Sequence, residues 1–403
     1  MKQIQEYSFM KKYDVIIAGG GVSGFAAAIG ASQAGARVLL FDRQPSVGGT
    51  AVYAMTPVLG GWKADRKGGG VADMLKEYLE ERNELIWRGC NADTEEDCLQ
   101  NAMLALLEEA RVDMLFDAEL VSAKCADDRI AFITVKQNSE LLEFAAGNFV
   151  DATGEAALAL AAGALTTVPP VELSMTKTLM FKVRNIKSFD KDSINKRFRE
   201  KEFPIPGQDR FMGTQLLHND EANLNLTAVA GDASSPEECD RMYRELQNQV
   251  PVIVEWLRKE FPEFAELEVV RVAPILGVRY TRSIVSRRQL SLADTQNTEP
   301  PPEPVGFCGS YIGGHYINGY SSPWGHAITG KPAIPYGALR SANISNLLAC
   351  GRIIDVDPRV ISAVRLCVNC MSSGQAAGIA AALDIPDYEV LAEELKRQKC
   401  LIQ

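Results

Sequence analysis

A predicted strand, a glycine-rich turn, a helix and a second strand follow one another between residues 13 and 42, and this order constrains the fold more than any other feature of the chain. The turn has the spacing G-x-G-x-x-G at Gly19, Gly21 and Gly24. In a βαβ unit these glycines allow a tight turn, the close approach of a pyrophosphate, and close packing of the helix on the strand. The second strand ends at Asp42, whose carboxylate can accept hydrogen bonds from ribose hydroxyls. A glycine-rich turn without a ligand is the alternative, but the complete order of elements favours a dinucleotide site.

The composition limits the functional classes that are open to the chain. Its 403 residues are 46% hydrophobic and 23% charged, with a net charge of −10, which is typical of a soluble globular protein with two or three lobes. The acidic balance disfavours a general nucleic-acid binder, which needs a basic face. Nine cysteines without regular spacing argue against a secreted disulfide framework, and the sequence has neither a signal peptide nor an apolar run of roughly 18 residues. We therefore expect a cytoplasmic protein with no membrane span and no nucleic-acid partner.

Two further segments are candidates for cofactor contacts. The segment from Arg43 to Thr50 contains paired glycines, so its N–H groups and the Thr50 hydroxyl could follow a cofactor. The stretch GGGVSGFAAAIGASQAGARVLLFDRQPSVGGTA resembles the FAD-binding unit of flavin-dependent oxidoreductases with the glutathione-reductase-like fold. In those proteins a strand that ends in A-T-G returns to the cofactor, which implies contacts from Thr153 and Gly154. Because their ribose acid is more often glutamate, Asp42 leaves both FAD and NAD open.

The C-terminal part carries three motifs, IPYGALR, ACGR and RVISAVRLCVNCMSSGQAAGIAAA. They resemble a diverse FAD-dependent oxidoreductase family that is distantly related to the flavoprotein of fumarate reductase, with residues 186–268 matched least. The resemblance implies FAD as the cofactor. The small residues from Gly374 to Gly378 are expected to open a helix whose N-terminus points at the flavin, with tight helix–helix packing as the alternative. The predicted FAD contacts are Gly19, Gly21, Gly24, Asp42, Arg43, Gly49, Thr50, Thr153, Gly154, Gly351, Arg352, Gly374, Gln375 and Ala376.

The same resemblance implies an α/β fold, in which a Rossmann-like FAD-binding domain of the glutathione-reductase type carries an inserted α+β substrate domain. The composition changes near Leu165, and strand-like segments between residues 112 and 144 predict a small meander before that point. The expected boundaries are 9–164 for the first part of the FAD-binding domain, 165–330 for the substrate domain and 331–403 for the C-terminal part of the FAD-binding domain.

Only one dinucleotide fingerprint is found, so we predict no dedicated NAD(P)H domain. The predicted function is that of an FAD-dependent oxidoreductase, which transfers a hydride between flavin N5 and a small organic substrate and exchanges electrons with an external donor or acceptor. The alternatives are a flavoprotein with a non-redox hydratase or isomerase role and a nucleotide-binding regulatory subunit. Each of these functions is compatible with a homo-oligomer.

Histidines and arginines are the candidates for substrate chemistry. His315 and His326 lie in FCGSYIGGHYINGYSSPWGHA, an aromatic-rich stretch that suits a pocket with an acid or base at hand. We favour His326 as the general acid or base, with a structural role for either histidine as the alternative. Arg279, Arg282 and Arg365 could each hold a substrate carboxylate or serve as plain salt-bridge partners, and Arg282 matches a family arginine best.

A cysteine pair with the spacing C-x-x-C lies just before the small-residue segment, at Cys367 and Cys370. A thiol–flavin relay is conceivable for such a pair. Disulfide reductases, however, place their pair after the first fingerprint, so a structural role is favoured here. No second ligand pair has the spacing of a zinc site, and we predict no metal.

Overall fold

The computed structural model describes residues 11–215, 220–308, 314–316, 319–321, 330 and 332–402. The strands in this part of the chain are β1 (Lys11–Ala18), β2 (Val38–Phe41), β3 (Val58–Gly60), β4 (Ile86–Arg88), β5 (Asn91–Asp93), β6 (Asp113–Leu115), β7 (Ala118–Ala126), β8 (Arg129–Gln137), β9 (Glu140–Asp151), β10 (Thr166–Thr167), β11 (Phe181–Arg184), β12 (Gly213–Gln215), β13 (Ala222–Leu224), β14 (Glu268–Val272), β15 (Ser283–Ile284), β16 (Pro304–Phe307), β17 (Gly314–Tyr316), β18 (Gly319–Ser321), β19 (Ala333–Pro335) and β20 (Leu347–Ala349). The α-helices are α1 (Val22–Gln33), α2 (Gly49–Tyr53), α3 (Gly70–Glu80), α4 (Glu96–Glu109), α5 (Ala157–Ala161), α6 (Lys191–Arg199), α7 (Pro236–Glu260), α8 (Ile361–Val364), α9 (Cys367–Ala382) and α10 (Tyr388–Arg397).

The largest sheet is mixed and has β1 near its centre. Its strands run in the order β6-β2-β1-β9-β8-β7, and β20 pairs with the last part of β9. The pairs β6–β2, β2–β1, β1–β9 and β9–β20 are parallel, whereas β9–β8 and β8–β7 are antiparallel. The run from Val15 to Ala18 in β1 is fully buried, as expected of a parallel strand that is covered on both faces. The chain therefore has an α/β fold, and the predicted meander is present as β7, β8 and β9.

Four parallel strands end at the same level of this sheet. Ala18 at the end of β1 pairs with Phe41 of β2 and with Asp151 of β9, and Asp151 pairs with Ala349 of β20. The loops that follow these strands therefore start side by side at the carboxyl edge of the sheet. This edge is where open α/β sheets bind their ligands.

Helices α1 and α9 pack against each other backbone to backbone. A Cβ atom added to Gly374 would lie 2.1 Å from the carbonyl oxygen of Ser23, and one added to Gly378 would lie 1.9 Å from that of Ala27. The prediction that Gly374 opens a helix toward the flavin is therefore wrong in its boundary: α9 begins seven residues earlier, at Cys367. The small residues let α9 approach α1, which is the alternative that the sequence left open.

A second, antiparallel sheet has the strand order β12-β13-β11-β14. Helix α7 begins at Pro236, as its sequence predicts, because Ser235 caps it by accepting a hydrogen bond from the N–H of Glu238 at 3.4 Å. A core of aromatic side chains lies under this sheet and includes Phe198, Phe211, Phe261 and Phe264. In the described residues no helix combines the length and the apolar character that a membrane crossing requires.

Candidate cofactor and substrate site

A groove with a volume of about 500 Å³ opens at the carboxyl edge of the main sheet, a size that is typical of ligand pockets. One wall carries eight of the predicted FAD contacts, Gly21, Asp42, Arg43, Gly49, Thr50, Thr153, Gly154 and Arg352. The opposite wall consists of Cys239, Asp240 and Tyr243 from α7 and of residues 274–276 and Val278, which follow β14. The common level of the strand ends explains why residues so far apart in sequence share one wall.

The three glycines of the fingerprint have different roles. Gly19 has a φ of +105°, and a Cβ on it would lie 2.5 Å from the carbonyl oxygen of Ala152; a Cβ on Gly24 would lie 1.8 Å from the carbonyl oxygen of Gly19. The turn itself requires glycine at these two positions. Gly21 has an ordinary φ of −69°, and the nearest protein atom to an added Cβ is the Cα of Gly49, at 3.8 Å. Gly21 is therefore not required by the protein fold, and it lines the groove.

The N-terminus of α1 suits an anion. No side chain caps this helix, and its first turn contains no acidic residue. The unpaired N–H groups of a helix N-terminus bind phosphates, and the helix dipole adds a partial positive charge that favours an anion. The groove beside Gly21 therefore fits the pyrophosphate of a dinucleotide.

Asp42 is held at the edge of the groove by the main chain. Its Oδ2 accepts a hydrogen bond from the N–H of Gly20 at 2.5 Å, and its Oδ1 accepts one from the N–H of Gln44 at 2.8 Å. Burial raises the pKa of Asp42, although these hydrogen bonds act in the opposite direction. A carboxylate has about four acceptor sites, so the fixed Asp42 can still accept hydrogen bonds from ribose hydroxyls.

Arg352 lies across Gly154. A Cβ added to Gly154, which has a φ of +75°, would lie 2.4 Å from Nη2 of Arg352, and Nη1 of Arg352 donates a hydrogen bond to the carbonyl oxygen of Val278 on the opposite wall. The preceding Thr153 is fixed by a 2.7 Å hydrogen bond from its Oγ1 to Asp151. Arg352 thus joins the two walls beside the segment that the A-T-G motif predicts to return to the cofactor.

Four of the other predicted FAD contacts are residues that pack or form hydrogen bonds within the protein. Gly351 has a φ of +71° and donates its N–H to Oγ of Ser373 at 3.0 Å, and Gly374 packs against α1. Ala376 is fully buried in the apolar core. The side chain of Gln375 accepts a hydrogen bond from the N–H of Val71 at 2.9 Å and donates one to Oε1 of Gln398 at 3.0 Å, so it joins α9 to α3 and to the C-terminal segment. Gly374, Gln375 and Ala376 lie in the middle of α9 and not in its first turn, and neither they nor Gly351 line the groove.

The first turn of α9 is the part that reaches the groove. Cys370 and Arg365 both line it. The predicted start of this helix at Gly374 is seven residues too late, since no side chain caps α9 at its true start, Cys367. Burial raises the pKa of Cys367 to about 11 and that of Cys370 to about 12. Both are therefore neutral thiols near pH 7, and a neutral thiol is a poor nucleophile for a thiol–flavin relay.

His315 is buried among cations, whereas His326 lies outside the described residues. The carbonyl oxygen of His315 accepts a hydrogen bond from the N–H of Thr176 at 2.9 Å. Burial lowers the pKa of His315 to about 2, and the guanidinium groups of Arg279, Arg365 and Arg210 contribute. The imidazole of the free protein is therefore neutral near pH 7 and can exchange hydrogen bonds, but it has no proton to give as an imidazolium.

The depressed pKa of His315 predicts a loss of stability in mild acid. The folded pKa of about 2 lies below the unfolded value of 6.5, so below about pH 6.5 the unfolded chain binds a proton that the folded chain excludes. Stability then falls by about 1.4 kcal/mol per pH unit, or about 2 kcal/mol between about pH 7 and about pH 5. We expect His315→Gln to remove about this much of the acid-induced loss, as measured by urea unfolding at both pH values. An unchanged pH dependence in the variant would contradict this assignment.

A glycine turn, an uncapped helix N-terminus, a positioned carboxylate and a groove at the carboxyl edge of a parallel sheet define a dinucleotide-binding protein of the α/β class. The model of the family described as "FAD dependent oxidoreductase" matches residues 14–399. The chain belongs to this family. It is thus a flavoprotein with FAD as its cofactor and an oxidoreductase, which confirms the prediction of an enzyme and disfavours a regulatory subunit.

The similar proteins agree with this assignment at the level of the fold. A stretch of 68 residues is 37% identical to a fumarate reductase (cytochrome) of Shewanella frigidimarina, but it covers only 17% of this chain and 12% of that relative. A geranylgeranyl bacteriochlorophyll reductase-like protein from Thermoplasma acidophilum aligns with a TM-score of 0.51 at 13% identity, over 97% of this chain and 84% of the other. The myxobacterial chondrochloren halogenase, an FAD-dependent enzyme, aligns with a TM-score of 0.52 at 15% identity, over 96% and 79% of the two chains. At these identities the structures share the fold alone.

Proposed function

We propose that the protein transfers a hydride between the N5 atom of FAD and a small organic substrate, and that it has no dedicated NAD(P)H domain. The observation that carries this proposal is the groove itself, because predicted cofactor residues form one wall and α7 and the segment after β14 form the other. Such a two-walled groove can hold a substrate against a flat cofactor. When FAD is bound, it supplies the redox chemistry, and the protein supplies position and charge.

In this proposal the residues of the first wall hold the cofactor by different groups. The N–H groups at the start of α1, beside Gly21, bind the pyrophosphate, and Asp42 accepts hydrogen bonds from the adenosine ribose. Thr50 offers its hydroxyl, and Arg352 offers a guanidinium next to Gly154. Arg43 lies at the edge of the groove, where its Nη2 is 3.5 Å from Oε1 of Glu155, and both side chains are exposed enough to turn toward a bound cofactor.

We further propose that residues 9–164 and 331–403 form one FAD-binding domain of the glutathione-reductase type and that residues 165–330 are a substrate domain inserted into it. Two contacts support this division: β20 adds to the main sheet beside β9, and α9 packs on α1. The intervening residues supply the second sheet and α7. The substrate would then enter between the two domains, which is where the groove lies.

Anaerobic spectroscopy of the holoprotein tests the proposed reaction. We expect light-driven reduction to bleach the bound FAD, and a suitable electron acceptor to restore its colour. Stopped-flow mixing of the oxidised protein with NADH or NADPH should leave the flavin oxidised on the timescale of turnover. Fast bleaching by either nucleotide would refute the absence of an NAD(P)H site. Protein that neither contains nor binds FAD would refute the whole proposal.

A further inference from the structure

We infer that the groove takes an anionic substrate, a small molecule with a carboxylate or phosphate group, and that Arg365 binds this group. The inference rests on the proposed function, since it concerns the substrate of the same groove. It assigns the role to Arg365, whereas the sequence favoured Arg282.

Arg365 has the position and the unused capacity that an anion-binding residue needs. It lines the groove immediately before α9, beside Cys370. Its Nε is buried and has no hydrogen-bond partner in the part of the chain that the structure describes. None of the ion pairs among the described residues involves Arg365. A buried guanidinium nitrogen without a partner is costly for the protein, and a carboxylate or phosphate oxygen would satisfy it.

Two further arginines, Arg279 and Arg352, lie within charge-interaction range of the same residues as Arg365. The positive charges of Arg279 and Arg365 both contribute to the lowered pKa of His315. The charge of Arg365 also contributes to the lowered pKa of Arg352. Arg279 is fixed there, because its Nη1 donates a hydrogen bond to the carbonyl oxygen of Thr176 at 2.5 Å, and the N–H of Thr176 in turn binds the carbonyl oxygen of His315. This concentration of positive charge attracts an anion more strongly in a partly buried groove than it would in water.

Lys177 is a further buried cation near Arg279. It is 1% exposed, and its Nζ donates hydrogen bonds to Oγ of Ser174 at 2.7 Å and to the carbonyl oxygen of Gly231 at 2.5 Å. Burial lowers the pKa of Lys177 to about 8, the carboxylate of Asp232 acts in the opposite direction, and the guanidinium of Arg279 acts in the same direction as burial. An anion in the groove would relieve this repulsion, since it would bring a negative charge to a cluster of like charges.

Arg282 lies in a different environment. Hydrogen bonds from Ser234 lower the pKa of Asp232, and the charges of Lys177 and Arg282 contribute to this shift. Arg282 is also not among the residues that line the groove. The structure therefore reverses the order in which the sequence ranked the two arginines, and the two provide a matched pair of variants.

Titration of the FAD-loaded protein with malonate and with inorganic phosphate, at constant ionic strength, tests the inference. Saturable changes in the visible spectrum of the bound flavin are expected with at least one of these anions, and malonate against phosphate distinguishes a carboxylate from a phosphate ligand. The neutral analogue malonamide should cause no change. We expect Arg365→Gln to weaken the binding of the anion by about 10- to 100-fold, as is typical for the loss of a hydrogen-bonded charge. Arg365→Lys should give an intermediate loss, because it keeps the charge without the planar fork.

The comparison variant Arg282→Gln should change the affinity by less than about 2-fold, and FAD should remain bound to all three variants. The inference is overturned if neither anion perturbs the flavin, if malonamide acts as malonate does, or if Arg282→Gln has the larger effect. It is also overturned if Arg365→Gln releases FAD, since Arg365 would then be a cofactor ligand. A wild-type protein that holds photoreducible FAD but ignores both anions would refute this inference alone, whereas a protein without FAD would refute the proposed function.

Discussion

Gly21→Ala is expected to fold as the wild type does and to lose most of its affinity for FAD. The backbone at Gly21 has a φ of −69°, which alanine adopts freely, and the added methyl group would contact no protein atom closer than 3.8 Å. The same methyl group would project into the groove where the pyrophosphate approaches the N-terminus of α1. Intrusion of one methyl group into a close-packed contact costs about 1–3 kcal/mol, or roughly 5- to 150-fold in the dissociation constant of FAD.

The measurement is FAD binding to the apoprotein, followed by flavin fluorescence, together with urea unfolding of the same apoprotein. The matched control is Gly24→Ala, in which the added methyl group would lie 1.8 Å from the carbonyl oxygen of Gly19. We expect Gly24→Ala to destabilise the apoprotein itself, whereas Gly21→Ala changes its stability by less than about 0.5 kcal/mol. Full retention of FAD by Gly21→Ala would show that the space beside this glycine does not serve the cofactor.

The second large effect is expected at Glu96, a buried carboxylate in the first turn of α4. Glu96 is 1% exposed and accepts contacts from three residues of the second sheet. Nζ of Lys182 lies 2.9 Å from its Oε2, Nη2 of Arg271 lies 3.2 Å from the same oxygen, and Nδ2 of Asn223 donates to Oε1 at 2.5 Å. One carboxylate thus joins a helix packed on the main sheet to β11, β13 and β14. Glu96→Ala leaves the largely buried Lys182 without its counter-charge, and we expect a loss of about 3–5 kcal/mol in the free energy of unfolding.

Urea unfolding of the holoprotein checks this value, and Glu268 provides the control. Glu268 pairs with Arg184 at 2.9 Å on the surface, where both side chains are about half exposed. Because water screens such a pair, Glu268→Ala should cost less than about 1 kcal/mol. The loss in the free energy of unfolding for Glu96→Gln should lie between those for Glu96→Ala and Glu268→Ala. This variant keeps the shape of the side chain and one hydrogen bond but removes the charge. A cost below about 1 kcal/mol for Glu96→Ala would mean that this contact does not hold the second sheet in place.

Sequence reasoning succeeded where a short segment contains its own geometric requirements. Gly19 and Gly24 are needed because side chains at these positions would meet the backbone of the same unit, and that constraint is visible in the spacing alone. Asp42 and Thr153 were also found, because each follows a recognisable strand and the strands end at one edge of the sheet. The N-terminus of α7 is visible in the sequence for a similar local reason, since Ser235 and Pro236 form a capping signal.

The positions of Gln375, Arg365 and Glu96 could not be decided in that way. The motif around Gln375 is consistent with a helix at the flavin, but the phase of α9 turns that side chain toward α3 and leaves its first turn at the groove. The sequence favoured Arg282, and only the packing of the chain around α9 places Arg365 in the groove and leaves Arg282 outside its lining.

The sequence by itself thus determined the βαβ unit, the family and the cofactor, because each follows from local spacing and from motifs that a single chain displays. The tertiary structure alone decided which side chains face the groove, where positive charge accumulates, and which buried carboxylate joins the second sheet to α4. These properties depend on contacts between residues that are far apart in the chain, and a sequence pattern carries no information about the direction in which two packed elements face each other.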